Sequence, residues 1–152
     1  MKQHHRQPKV LTLVFLIGAA VLAACSPAAP AEPAQPAPES APVTVQYTLR
    51  TAAEGNQLLF IGVGGDIDGQ VNPDLVAQVG DTVAITLIND DGRSHDVVIR
   101  EFDAATPVFG TIGQEETVEF VVDQAGTFFY FCSVSGHRQA GMEGQLIVSA
   151  GE

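Results

Sequence analysis

From Val43 onward the chain is a succession of short stretches in which apolar and polar residues alternate. This period of two constrains the fold more than any other feature. Val43, Val45, Tyr47 and Leu49 alternate with Thr44, Gln46, Thr48 and Arg50. Successive side chains of a strand point to opposite faces, so such a stretch buries one face and wets the other. Residues 57–63 form a second β-rich run, closed by Gly64-Gly65-Asp66. Residues 75–79 end at Gly80-Asp81, and residues 82–89 set Val83, Ile85 and Leu87 on one face before the Asp90-Asp91-Gly92 turn. Runs at 95–101, 117–122, 127–132 and 144–149 bring the total to about eight strands. No stretch of any length has a helical period. Strands at this spacing predict an all-β domain over 43–152, an antiparallel sandwich or barrel. A domain of this size hides about two-thirds of its unfolded surface and needs no disulfides to be stable.

The residues ahead of this domain have another character. Lys2, His4, His5, Arg6 and Lys9 make a basic start, and residues 10–24 are a mostly apolar run that ends Leu22-Ala23-Ala24-Cys25. The run is short for a bilayer span. Small residues before a cleavage point are expected of a secretory signal. Directly before a cysteine they resemble a bacterial lipobox, which implies cleavage after residue 24 and lipidation of Cys25. Residues 26–42, SPAAPAEPAQPAPESAP, are mostly Pro and Ala. Such a segment favours extended polyproline II, and at about 3.1 Å per residue it reaches about 50 Å. The expected organisation is a lipoprotein signal peptide at 1–24, a lipidated Cys25 with a Pro/Ala-rich tether to 42, and one domain at 43–152. The expected location is outside the cytoplasm, lipid-anchored to the outer face of a bacterial membrane, in the periplasm or at the cell surface.

Charge narrows the partners. The formal net charge is −11, from 7 Lys+Arg against 18 Asp+Glu. Cleavage would remove Lys2, Arg6 and Lys9 and no acid, leaving Arg50, Arg93, Arg100 and Arg138 as the only basic residues besides histidine. Nucleic acid is excluded as a partner, because gripping phosphates takes clustered Lys and Arg. No Walker A or GxGxxG sequence is present, which argues against the common nucleotide-binding folds. An acidic surface steers basic partners toward it.

The scarce residue types converge. After the signal, Cys132 is the only cysteine besides Cys25, His95 and His137 are the only histidines, and Met142 is the only methionine. Cys132, His137 and Met142 are spaced Cys-x4-His-x4-Met in a loop that leaves one strand, folds back at Gly136 and Gly141, and re-enters the sheet at Gly144. His95 comes from the start of a different strand. Singly, such residues are most often core filler or surface side chains. Two imidazoles and a thiolate, with a weak axial thioether, are instead the blue-copper ligand set. Zinc is a poor match, since thioether is not among its usual ligands.

With these residues in view the domain resembles the cupredoxins, the type 1 copper proteins. Gly126-Thr127-Phe128-Phe129-Tyr130-Phe131-Cys132 resembles the family's strand into the ligand loop, and Ser94-His95-Asp96-Val97-Val98 its upstream histidine segment. The Cys-x4-His-x4-Met loop is similar to that of the auracyanins. The segments 63–73 and 136–142 also look like cupredoxin domains related to copper nitrite reductases. The resemblance implies a Greek-key β-sandwich, one bound copper, electron transfer, and His137 near the surface as the electrons' route. Asp96 departs from the Asn that many members carry after this histidine. Its carboxylate is still able to accept hydrogen bonds from the thiolate loop; a charge there would lower the reduction potential, a buried carboxyl that stays protonated would not, and the sequence leaves the potential open.

The expected function is therefore a membrane-tethered blue-copper electron carrier. Its expected partners are redox proteins with a basic docking face, a cytochrome or a membrane electron-transfer complex. The alternatives are a copper-holding or delivery protein and a relative of copper nitrite reductase. An enzyme is not expected. The reductase's second copper uses a histidine directly before the thiolate and others beyond the upstream histidine, where this chain has Phe131, Val98 and Arg100.

Overall fold

The computed structural model describes residues 41–151. The expected signal peptide, Cys25 and nearly all of the expected tether lie outside the described residues. No helix among the described residues is long and apolar enough to cross a membrane.

Nine strands form two sheets. The first has the order β2-β1-β4-β7, from β1 (Thr44–Glu54), β2 (Gln57–Val63), β4 (Thr82–Ile88) and β7 (Glu115–Val121). The second has the order β3-β9-β8-β5-β6, from β3 (Leu75–Gln78), β5 (Val98–Ile99), β6 (Ala104–Ala105), β8 (Gly126–Phe131) and β9 (Glu143–Ser149). The chain passes repeatedly between the sheets, so strands adjacent in space are often distant in sequence. The period of two acts as expected: Val83, Ile85 and Leu87 of β4, Val118 and Phe120 of β7, and Leu146 and Val148 of β9 are all buried. They meet Leu49, Phe60, Leu75 and Ile99 in one continuous core between the sheets.

Three features differ from the sequence reading. The sheets are not wholly antiparallel: β1 pairs in parallel with β4, and β3 with β9. Each parallel pair needs a long connection, and each has one, running through the opposite sheet. The expected strand over 95–101 shrinks to Val98–Ile99, because Arg100–Phe102 turn into a 3-10 helix and His95 makes only an isolated bridge to Phe109. Strand β6 was not expected at all, since two alanines carry no alternation to read.

Tyr130 ties the core to the end of the molecule that bears the histidines and Cys132. Its ring is fully buried, 5.4 Å from that of Phe60, and its hydroxyl donates to the Pro73 carbonyl at 2.7 Å. Gly144 lies opposite Tyr130 in the β8–β9 ladder, and the phenol occupies the space where any Cβ at Gly144 would sit.

Candidate metal centre

Two loops at one end of the sandwich carry the four residues picked out from sequence. Cys132 directly follows β8, and Met142 directly precedes β9. The Cys132 N–H donates to the Met142 carbonyl at 3.1 Å, which prolongs the β8–β9 ladder by one rung. Between them the chain winds tightly: the His137 N–H donates to Val134, that of Ala140 to Gly136, and that of Met142 to His137. Gly136 (φ 86°) and Gly141 (φ 106°) take the left-handed backbone this winding requires. The loop is fastened to β2 from outside. The Leu58 N–H donates to the Ala140 carbonyl at 3.1 Å, and the Asn72 side-chain amide donates to the Gly141 carbonyl at 2.8 Å.

His95 enters from the loop after β4, held by paired backbone bonds with Phe109, each 2.9 Å. Its imidazole is fully buried. The donor atoms of His95, Cys132 and His137 all lie within 4.8 Å of one another. Cys132 Sγ is 3.4 Å from His137 Nδ1 and 3.9 Å from His95 Nδ1. Donors each about 2.0–2.3 Å from one shared ion at trigonal angles stand about 3.5–3.8 Å apart, so the three fit a single metal. Met142 is fully buried beside them, its backbone bonded to both Cys132 and His137. His137 is partly exposed whereas His95 is not, as the family resemblance implied.

The electrostatics suit a soft cation. Burial pushes the Cys132 thiol up to about 11, so without a cation the group stays protonated at neutral pH. Burial, and then the neighbouring His95, hold His137 below the usual imidazole value, which leaves its lone pair free for a metal. Asp96 is buried and braces the loop as expected. One of its oxygens accepts from the Ser133 N–H at 2.7 Å and the other from the Ser133 hydroxyl at 2.5 Å.

Sequence reasoning missed two supports. Asn72 reaches the ligand loop across 69 residues, and no local signal announces that contact. In the sequence Asp91 marks only a turn, yet its Oδ1 lies 2.9 Å from His95 Nε2. The spacing of four before a candidate ligand was the available clue. Burial raises the Asp91 carboxyl, but the Arg93 N–H and the His95 imidazole outweigh it, and the net shift is downward.

The chain is similar, in part of its sequence or in its fold, to several known proteins. The multicopper oxidase family matches residues 103–152. A curated relative, L-ascorbate oxidase of Nicotiana tabacum, is 33% identical over 122 residues, covering 71% of this chain. The chain spans 20% of that protein's length. Among solved structures, reduced rusticyanin is 26% identical with a TM-score of 0.54, covering 70% of this chain and 79% of its own. Copper nitrite reductase of Nitrosomonas europaea is 28% identical with a TM-score of 0.52, covering 70% and 42%. Auracyanin A, a blue copper protein of Chloroflexus aurantiacus, shares the fold at 19% identity with a TM-score of 0.52, covering 70% and 99%.

These matches overturn the expectation that no enzyme is involved: the oxidase family, the ascorbate oxidase and the nitrite reductase are all enzymes. The expectation rested on histidines missing at Phe131, Val98 and Arg100. That comparison tested one reductase's plan, and it is silent about other copper enzymes that contain such a domain.

Proposed function

We propose, from the chain's membership of the cupredoxin-like family, that it relays single electrons through one type 1 copper, which His95, Cys132 and His137 would hold, with the Met142 thioether as a weaker fourth donor. The observation that carries this reading is the His–Cys–His cluster, buried but for His137, with donors at metal-sharing distances on two hydrogen-bonded loops. Copper supplies one-electron chemistry between Cu(I) and Cu(II). Thiolate and thioether suit the reduced ion, and imidazole suits the oxidised one. The chain's own part is to keep that mixed donor set in place in both states. The Cys132–Met142 rung, the Asp96–Ser133 brace and the Asn72 fastening resist movement of the ligands, which keeps reorganisation small. His137, the partly exposed ligand, is the point of electron entry and exit.

The rest of the reading concerns setting. Export by the signal peptide at 1–24, lipidation at Cys25 and the Pro/Ala tether would hold the domain at a membrane surface and raise its effective concentration there. The acidic body of the domain would steer basic redox partners toward it. Arg93 and Arg138 lie in the ligand-bearing loops themselves, so the attraction would come from the domain's body.

The family match favours a second reading, in which the same relay delivers electrons to an oxidase reaction. One experiment tests the first and sorts it from the second. The full chain is titrated with Cu(II), reduced, and mixed with a basic cytochrome or with oxygen. An intense visible band at one equivalent, bleached on reduction and lost in Cys132→Ser, supports the type 1 centre. Fast exchange with the cytochrome supports the carrier, and sustained oxygen consumption supports the oxidase. Absence of the band overturns both.

A further inference from the structure

The loop between β4 and β5 is built more firmly than holding one histidine requires. Asn89 is fully buried and closes the turn with both ends of its amide: Oδ1 accepts from the Gly92 N–H at 2.8 Å, and Nδ2 donates to the Arg93 carbonyl at 2.7 Å. The Asp90 N–H is held by Thr51 Oγ1 at 3.0 Å. Asp91 Oδ1 accepts from the Arg93 N–H at 3.0 Å, an Asx turn that fixes the carboxylate's direction. That same oxygen meets Nε2 of the buried His95 at 2.9 Å. The other oxygen, Oδ2, is buried without a hydrogen-bond partner among the described residues. The Asp91 charge is thus spent on His95 and one backbone amide. Among the described residues no carboxylate is paired with His137, so the two imidazoles are not equivalent.

A neutral imidazole carries one proton, and a carboxylate only accepts. The pair therefore puts the proton on Nε2 and leaves Nδ1 bare, facing Cys132 Sγ. We propose that Asp91 is the positioning residue of this centre: it holds His95 in the Nε2–H tautomer with Nδ1 toward the metal, and its charge makes that imidazole a stronger donor that favours oxidised copper. A carboxylate behind a ligating histidine has this effect in metal sites generally, where losing it costs about 10–100-fold in affinity. The donor-strength half of the proposal rests on the type 1 reading. The tautomer half concerns the metal-free chain and does not.

The test uses the full chain with 15N-labelled histidine. Long-range 1H–15N correlation on the metal-free protein above pH 7.5 reads the tautomer of His95, and copper loading then gives the visible band and the reduction potential. Asp91→Asn keeps an acceptor but removes the charge; it is expected to retain the tautomer and raise the potential. Asp91→Ala removes both; it is expected to mix the tautomers and weaken copper binding by about 10–100-fold. Asp90→Asn is the control, because Asp90 is exposed, paired with Arg50 at 3.5 Å, and does not touch His95. It should change neither reading. An Nδ1–H tautomer in the parent protein overturns the proposal. So does a potential in Asp91→Asn no higher than in Asp90→Asn. A parent protein without the intense thiolate band overturns the copper reading and the donor-strength half, while the tautomer result still decides the other half.

Discussion

The carbonyl of Gly141 accepts the side-chain amide of Asn72 at 2.8 Å, so a residue beside the β2 edge holds the last turn before Met142. The same Asn72 accepts the Phe60 N–H on its Oδ1 at 3.0 Å, and its own N–H donates to the Phe60 carbonyl at 2.7 Å. One side chain thereby joins the first sheet to the ligand loop, although 69 residues separate the ends.

Asn72→Ala should loosen that joint without removing any ligand. It strips a donor from the Gly141 carbonyl and an acceptor from the Phe60 N–H, and partly buried groups left unpaired cost about 1–3 kcal/mol each before water compensates. A net loss of about 2 kcal/mol in the metal-free protein is expected in chemical denaturation. Copper dissociation, followed by competition with a chelator, should speed up while the visible band keeps its position. A band shift with unchanged stability would mean that Asn72 acts on the metal and not on the loop.

Gly144→Ala and Gly136→Ala separate two reasons for glycine. At Gly144 the Tyr130 phenol fills the place of a side chain, so alanine must displace a fully buried ring whose hydroxyl is bonded to Pro73. A loss of about 3 kcal/mol or more is expected, at the upper end of overpacking costs. At Gly136 nothing lies within 4 Å of the added carbon, and only the φ of 86° opposes it. That strain costs about 1–2 kcal/mol. Thermal unfolding of the two variants should rank them in this order.

Much of this architecture was legible in the chain, and the exceptions have physical causes. β4, β7 and β9 alternate cleanly because each buries one face, and their residues could be assigned to the core from sequence. β6 and the shortened β5 could not, since two-residue strands have no period. The ligand candidates stood out because Cys, His and Met are so rare here, and the three of them with donor distances do cluster. Asn72, Asn89 and Asp91 did not stand out. Each is an ordinary polar residue of a turn or strand end until folding brings two distant loops to one end of the sandwich. Whether the chain serves an enzyme also lay beyond reach, because the same type of site serves carriers and oxidases alike.

Loading copper at neutral pH should release one proton from Cys132. Burial lifts this thiol from 9.0 to about 11, so the metal-free protein holds the proton that a thiolate ligand must lose. A weakly buffered solution with a pH indicator should register about one proton per copper at pH 7.5, and none in Cys132→Ala. The same shift bears on the metal-free fold. Between pH 9 and 11 the folded state keeps a proton that the unfolded state has lost, so stability falls as pH rises through this window. A loss of about 2 kcal/mol from this group is expected, and Cys132→Ala should flatten that part of the slope.

Asp96→Asn should separate bracing from charge at the thiolate loop. The Asp96 carboxylate accepts from both the N–H and the hydroxyl of Ser133, the residue directly after Cys132. An amide is still able to accept from the Ser133 N–H, and it can donate to the hydroxyl once that group turns. Stability should then change by about 1 kcal/mol or less. The charge is lost outright. A negative group this near the metal site favours the oxidised ion, and an interaction of about 1–2 kcal/mol corresponds to about 40–90 mV for one electron. Voltammetry of the copper-loaded variant should therefore show the potential raised on that order, with the visible band retained. An unchanged potential with intact stability would show that Asp96 acts on this loop as a brace alone.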